Sequence, residues 1–207
     1  MIKRTKGRLL LTLLVITGLA GTLKDTSLSH KERKSAMTLL KDTKTAALKS
    51  IRGLSEAQLN FKSASGNCSI KECIYHIAIS EKFLWNMLEA ALKNHSNPEK
   101  RAEIKMTDDE LIKMVEDKNF KIKTVEFFES AKAPYKTLDQ ALNSFKSKRL
   151  DHIKYIKTTT EDLRNHVVQM SFGSLDCYQL CLMIAAYSDR QTQQIEEIKT
   201  APNFPKK

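Results

Sequence analysis

The stretch from Met183 to Lys199, MIAAYSDRQTQQIEEIK, decides the fold of this chain. Ile184, Ile195 and Ile198 recur at the spacing of one face of an α-helix. Gln191 interrupts that apolar face. A glutamine at such a position needs a physical reason, because a buried carboxamide is costly unless other polar groups satisfy it.

Composition favours a single helical domain. The chain has 207 residues, of which 41% are hydrophobic and 29% charged, as in ordinary globular proteins. Only six glycines and four prolines occur, so the frequent turns of an all-β fold have little sequence support. We therefore predict an all-α protein.

The first twenty residues differ from the rest of the chain. Four basic residues precede an apolar run from Leu9 to Ala20, which is short for a membrane span of about 20 residues. This layout predicts a signal peptide over residues 1–20, an exported protein in the periplasm or outside the cell, and a mature domain over 21–207. The alternative is an uncleaved segment that tethers the protein to a membrane.

The basic charge gives little support to nucleic-acid binding. Removal of residues 1–20 takes away four basic residues and no acid, which lowers the formal net charge from +11 to +7. The remaining lysines are interleaved with acids rather than with aromatic residues that could stack on bases. The partners expected are an unidentified small molecule or protein and possible homodimerisation, with membrane contact only through an uncleaved N-terminal segment.

The four cysteines form two local pairs, Cys68 with Cys73 and Cys177 with Cys181. Neither pair has the Cys-x-x-Cys spacing of structural zinc sites. Two interpretations stay open, a disulfide between the pairs in an oxidising compartment or four small buried apolar residues.

Apolar spacing predicts four long helices, at about His30 to Leu54, Ile70 to Lys93, Leu138 to Lys157 and Leu175 to Lys199. Together they suit a four-helix bundle with one shared core. The connection between the second and third helices is long, and such a crossover allows both to run in the same direction.

Local signals refine this prediction. Ser69 and Glu72 form a capping-box pattern at the start of the second helix. Gly173 and Ser174 are predicted to supply the break and cap of the fourth helix. A short helix over residues 107–115 and an extended or irregular stretch over 120–128 are predicted within the crossover.

Common catalytic signatures are absent from the sequence. No two of the five histidines have the i, i+4 spacing of a helical metal site, and there is no Gly-x-Ser-x-Gly turn. Only His76 is placed for chemistry, since it lies beside the apolar face of the second helix, although a partly buried histidine held by a hydrogen bond is the commoner explanation for an isolated case. Cys73, one turn earlier, is a candidate thiol that the imidazole could activate, although an inert buried cysteine is the ordinary alternative.

The order of elements and three local motifs resemble the DinB-like superfamily. The motifs are Ser69-x-x-Glu72-x-x-x-His76, Gly173-Ser-Leu-Asp-Cys-Tyr-Gln, and Gln194-Ile195-x-x-Ile198. The resemblance covers about residues 30–199 and implies a four-helix bundle. Members of this superfamily commonly carry a divalent metal, and they include thiol-dependent transferases and isomerases.

The resemblance also identifies the expected site. Three histidines usually hold the metal in this family, and their positions correspond to His76, Tyr187 and Gln191. Only His76 is a family-type ligand, so we expect a degenerate metal site and no cofactor, unless Tyr187 as phenolate, His152 or a cysteine rescues binding of zinc, nickel or manganese.

Two functions follow from this comparison with the family. The first is an exported, non-catalytic binding or interaction module that uses the pocket of His76, Tyr187 and Gln191. The alternative is a metal-dependent transferase or hydrolase that resembles the family's thiol S-transferases and uses substituted ligands.

Overall fold

The computed structural model describes residues 27–63, 68–119 and 134–206. The helices are α1 (His30–Ser50), α2 (Glu56–Asn60), α3 (Ile70–Leu92), α4 (Asp108–Glu116), α5 (Leu138–Thr158) and α6 (Cys177–Lys199). Short 3₁₀ helices span Pro98–Glu103 and Leu163–Asn165, and a hairpin joins β1 (Val167–Met170) to β2 (Gly173–Asp176). The all-α prediction is confirmed, with this small hairpin as an addition.

The predicted helix boundaries hold at most ends. The capping box at Ser69 and Glu72 starts α3, as predicted. The short crossover helix is α4, and Thr107 caps it. The predicted extended stretch over 120–128 and the predicted signal peptide over 1–20 lie outside the described residues.

Two predicted boundaries were wrong. The first long helix ends at Ser50 rather than Leu54, because the chain turns through Gly53, whose φ of 72° favours glycine. The fourth long helix begins at Cys177 rather than Leu175, and its cap is Asp176 instead of Ser174. The residues before α6, Gly173–Asp176, form β2 and pair with β1 in an antiparallel hairpin. Sequence periodicity does not reveal this hairpin.

The four long helices pack in the order α1, α5, α3, α6 around one core. Arg33 and Arg149 contact the backbone oxygens of Ile156 and Leu40, so α1 and α5 run antiparallel. Glu81 contacts Arg149, and the Trp85 ring, four residues further along α3, packs edge-on against that of Tyr155, six residues further along α5. The helices α3 and α5 are therefore parallel, as the long crossover predicts.

Helix α6 is the most buried of the four long helices. It contacts α1, α3 and α4, and its buried residues continue around most of its circumference in its first three turns. Tyr178 donates a hydrogen bond to the backbone oxygen of Glu32 near the start of α1, and Lys199 donates one to the backbone oxygen of Ser50 at the end of α1. The helices α1 and α6 are therefore parallel. Helix α3 consequently runs antiparallel to α6.

One arginine ties three helix starts together at one end of the bundle. Arg164 donates to Glu32 of α1 at 2.9 Å, to Asp108 of α4 at 2.6 Å and to Asp176, the cap of α6, at 3.0 Å. Its guanidinium lies 4.1 Å from the centre of the Tyr178 ring. These contacts hold the start of α6 beside the starts of α1 and α4.

Within the described residues, no helix combines the length and the apolar character that crossing a bilayer requires.

Candidate functional site

The candidate site lies where the first turns of α3 meet the second half of α6. The backbone N–H of Ser69 donates to Glu72 at 2.7 Å, and the N–H of Glu72 donates to the Ser69 hydroxyl at 3.2 Å. This cap fixes the first turn of α3, and His76 follows Glu72 by one turn. The imidazole is half-buried against α6.

Gln191 and Tyr187 belong to the facing side of α6, one turn apart. Their side chains are 4% and 7% exposed. Gln191 interacts with the His76 ring. Tyr187 lies within electrostatic range of Cys68 and Cys73, and Cys73 is one turn before His76 on α3. The antiparallel packing of α3 and α6 thus brings the two sequence segments to one region.

The His76 imidazole is held toward its neutral form. Burial lowers its pKa below the ordinary value of 6.5, while the nearby Glu72 carboxylate and the Gln191 side chain raise it in part. Glu72 is occupied by a 2.9 Å ion pair with Lys62, which limits its effect on the histidine. At neutral pH His76 therefore offers one hydrogen-bond donor and one acceptor.

The Gln191 carboxamide contains a buried oxygen without an ordinary hydrogen bond. Its Oε1 has no partner of normal geometry among the described residues. Gln191 approaches His76 closely enough to affect the imidazole pKa, but distance or angle falls short of a well-formed bond. A buried acceptor in this condition costs about 1–3 kcal/mol.

Tyr187 and Cys73 both remain protonated at neutral pH. Burial raises the pKa of the Tyr187 phenol to about 12, although Arg190 opposes this shift. Burial also raises the pKa of the Cys73 thiol far above its usual range, and the side chain is completely buried. An activated Cys73 thiolate therefore has no electrostatic support here.

All four cysteines are free. Cys68 and Cys73 pack in the half of the core that contains the end of α6, whereas Cys177 and Cys181 pack in the other half. The arrangement favours the interpretation as buried apolar residues over a link between the two pairs.

The sequence profile of the DinB superfamily matches residues 39–195. The chain belongs to the DinB superfamily. Its structure resembles that of YfiT from Bacillus subtilis, described as a probable metal-dependent hydrolase with an unusual four-helix bundle topology. The TM-score is 0.59 at 11% identity, over 84% of this chain and 89% of YfiT, so the likeness concerns the fold. No curated protein matches the chain.

The side chains of this DinB protein do not fit a divalent metal well. A catalytic metal takes three strong protein ligands and keeps one open position. Here one neutral imidazole stands with a phenol that stays protonated and an uncharged carboxamide. Among residues 27–63, 68–119 and 134–206, no group of three histidine, cysteine, aspartate or glutamate side chains could hold a metal ion.

A buried ionic cluster in the middle of the DinB bundle escaped the sequence analysis. Arg149 of α5 donates to Glu81 of α3 through Nη2 at 2.6 Å and through Nε at 2.8 Å. His152 Nδ1 lies 2.7 Å from the same carboxylate, and its ring stacks on Trp85 at 3.7 Å. These contacts hold His152 in the ionic cluster. It is therefore not free to act as a substitute metal ligand beside His76.

The cluster reaches the candidate site through α6. Arg149 Nη2 donates to the hydroxyl of Ser188 at 2.6 Å, and Ser188 directly follows Tyr187 in the chain. Arg149 Nη1 donates to Thr43 of α1 at 2.8 Å. One arginine therefore joins all four long helices, and it fixes the rotation of α6 that presents Gln191 to His76.

A signal for this cluster exists in the sequence. Glu81 and Arg149 sit on the apolar faces of α3 and α5, four residues after Ile77 and Phe145 respectively. They interrupt those faces as Gln191 interrupts that of α6. Two opposite charges on the inner faces of two predicted bundle helices are a sign of a buried ion pair.

Proposed function

We propose that this DinB protein is a non-catalytic binding module that recognises a small neutral ligand by hydrogen bonds, without the metal of its relatives. The supporting observation is the Oε1 atom of Gln191, which is buried and lacks a hydrogen bond of normal geometry. Buried acceptors in native proteins are normally paired, so one that lies at a family ligand position marks a place for a donor.

The chemistry of His76, Tyr187 and Gln191 restricts the ligand. Neutral His76, protonated Tyr187 and Gln191 offer hydrogen bonds but no net charge. A charged ligand would lose its hydration without gaining an opposite charge, which is costly at a buried site. A neutral group with an N–H or O–H donor, such as an amide or an alcohol, would satisfy Gln191 Oε1.

Export is part of the same proposal. The basic and apolar pattern of residues 1–20 supports secretion, and intact-mass analysis of the protein from its native host tests it. A mature chain that begins near Gly21 is expected. A protein that retains Met1 contradicts cleavage.

Metal analysis tests the non-catalytic function. The full chain is treated with a mild chelator, exposed to zinc, nickel or manganese, and freed of excess metal. We expect background metal content in the natural protein. The double variant Tyr187→His with Gln191→His should acquire a site for one ion, since it restores three imidazoles.

Two further variants control that experiment. Tyr187→Phe with Gln191→Leu keeps the approximate size of both side chains and should bind no metal. Adding His76→Ala to the double histidine variant should abolish the acquired site. Near-stoichiometric metal in the natural protein would contradict the proposal and support the metal-dependent transferase or hydrolase instead.

A weak probe tests the ligand class directly. Acetamide is titrated into the full chain, with acetate as the charged comparison, while the His76 ring signals are followed by NMR. Acetamide should shift those signals in the natural protein but not in Gln191→Leu, and acetate should shift neither. An equal response to acetate would contradict a neutral pocket.

A further inference from the structure

The basic charge of the protein is concentrated on two neighbouring helices. Helix α1 contains six basic and two acidic residues, and α5 contains five and two. One of these basic residues, Arg149, is neutralised by Glu81 inside the core. The surface of α1 and α5 therefore has a formal excess of +6, close to the whole +7 of residues 21–207.

The lysines of this pair line one outer face. On α1, Arg33 marks the flank that contacts α5, and at 100° per residue Lys34, Lys41 and Lys44 lie on that flank toward solvent. These lysines lie beside α5, because Arg149 of α5 donates a hydrogen bond to the backbone oxygen of Leu40 on α1. The two helices run antiparallel.

Helix α5 supplies the other side of this face. Its Tyr155 packs edge-on against Trp85 of α3. Its Ser144 contacts Tyr135, whose hydroxyl also donates to the backbone oxygen of Ala78 on α3. The opposite flank, toward α1, exposes Lys146, Leu150, Lys154 and Lys157 in its middle and last turns, and Asp139 in its first turn.

We call the resulting strip the lysine seam, and it consists of Lys34, Lys41, Lys44, Lys146, Lys154 and Lys157 around Leu150. From Lys34 to Lys44 it is about 15 Å long at 1.5 Å per residue. None of its six lysines forms an ion pair within the described parts of the chain. Leu150 is 54% exposed and is the only large hydrophobic side chain that is exposed among the described residues.

We propose that the lysine seam docks on a bilayer surface that contains anionic phospholipid. Unpaired lysines that face one another repel unless an anionic partner neutralises them. Each lysine near an anionic bilayer contributes about 1 kcal/mol of attraction, or roughly fivefold in affinity. Leu150 projects from the middle of the strip, where it can enter the headgroup region.

The side chains of the seam favour this partner over a nucleic acid. No aromatic residue lies in the seam to stack on bases, and an exposed leucine gains nothing from phosphates.

Vesicle binding by the full chain tests the proposal. Sedimentation is measured with phosphatidylcholine vesicles and with vesicles of about one third phosphatidylglycerol, at about 0.1 M salt where the Debye length is about 10 Å. The N-terminal segment contributes equally in every variant. The seam therefore determines the difference between variants.

The variants are matched for charge. Lys41→Gln with Lys44→Gln and Lys146→Gln removes three seam lysines and should weaken binding to the anionic vesicles by roughly 100-fold. The control removes three exposed lysines elsewhere and should leave binding within about twofold. Its substitutions are Lys82→Gln, Lys93→Gln and Lys100→Gln.

Two results would overturn the proposal. One is equal binding of the two triple variants to anionic vesicles. The other is binding to duplex DNA that is tighter than binding to vesicles, that is lost in the seam variant and that Leu150→Gln does not change. If lipid is the partner, Leu150→Gln weakens vesicle binding severalfold. Circular dichroism checks that each surface variant keeps its helices.

Discussion

Arg149 of α5 and Glu81 of α3 form a two-point ion pair in the centre of the bundle, and each side chain is at most 1% exposed. Burial by itself would raise the pKa of Glu81, but Arg149 and His152 lower it below its ordinary value. The carboxylate thus remains charged inside the core. The pair sets the rotation of α5 against α3, and through Ser188 that of α6.

Breaking this pair should be strongly destabilising. Arg149→Met leaves Glu81 buried without its partner, and we expect the free energy of unfolding to fall by about 3–5 kcal/mol. Urea denaturation measures the change. Glu81→Met with Arg149→Met should lose less than the single variant, since no buried charge remains. The control is Lys148→Met, an exposed position on the same helix, which should change stability by less than about 0.5 kcal/mol. If Arg149→Met changed stability no more than Lys148→Met does, the role of the pair would be disproved.

Replacing Gln191 with leucine, a side chain of similar size, should raise the free energy of unfolding. Its Oε1 is buried without a normal hydrogen bond, so Gln191→Leu should stabilise the ligand-free protein by about 1 kcal/mol, or about 2–4 °C in Tm. Thermal unfolding provides the measurement. Gln179→Leu is the matched control, because the Gln179 side chain donates to Met106 and caps α6, and its loss should destabilise. A drop in Tm for Gln191→Leu would show that the carboxamide is already satisfied.

Stability should decline as the pH falls below about 6.5. Because burial lowers the pKa of folded His76, the unfolded chain binds more protons between the two pKa values, and stability rises with pH across that interval. Denaturation at several pH values between about 7 and 5 should show this slope, at most about 1.4 kcal/mol per pH unit for one group. His76→Gln should reduce the slope. The exposed His95→Gln should not, and the same slope in both variants would rule out His76 as its source.

Cysteine reactivity should follow burial rather than proximity to histidine. Cys68 is half-buried, whereas Cys73, Cys177 and Cys181 are inside the core. At neutral pH iodoacetamide should modify Cys68 first and the other three at least about 100-fold more slowly than in denaturant, since they react only after local opening. Peptide mass spectrometry locates the modified residues. Rapid labelling of Cys73 in the folded protein would restore the thiolate hypothesis.

Local signals were sufficient to predict the long helices. Ser69 and Glu72 lie three residues apart and bond each other, so the start of α3 is readable without any knowledge of the fold. The start of α6 was misplaced because Leu175 belongs to a β-strand whose partner, Val168, lies seven residues earlier. Four-residue strands are too short for their alternation to be distinguished from the end of a helix.

The sequence by itself determined the helical class and the approximate span of each long helix. These features depend on residues within one or two helical turns of each other, whose interactions survive in any arrangement of the helices. The assignment of His76, Tyr187 and Gln191 to the family's ligand positions rests on the resemblance and stays a prediction. Only the tertiary structure decided that Glu81 neutralises Arg149 across 67 intervening positions, and that the lysines of α1 and α5 share one face. Partners on different helices are selected by packing and burial, which no spacing along a single helix encodes.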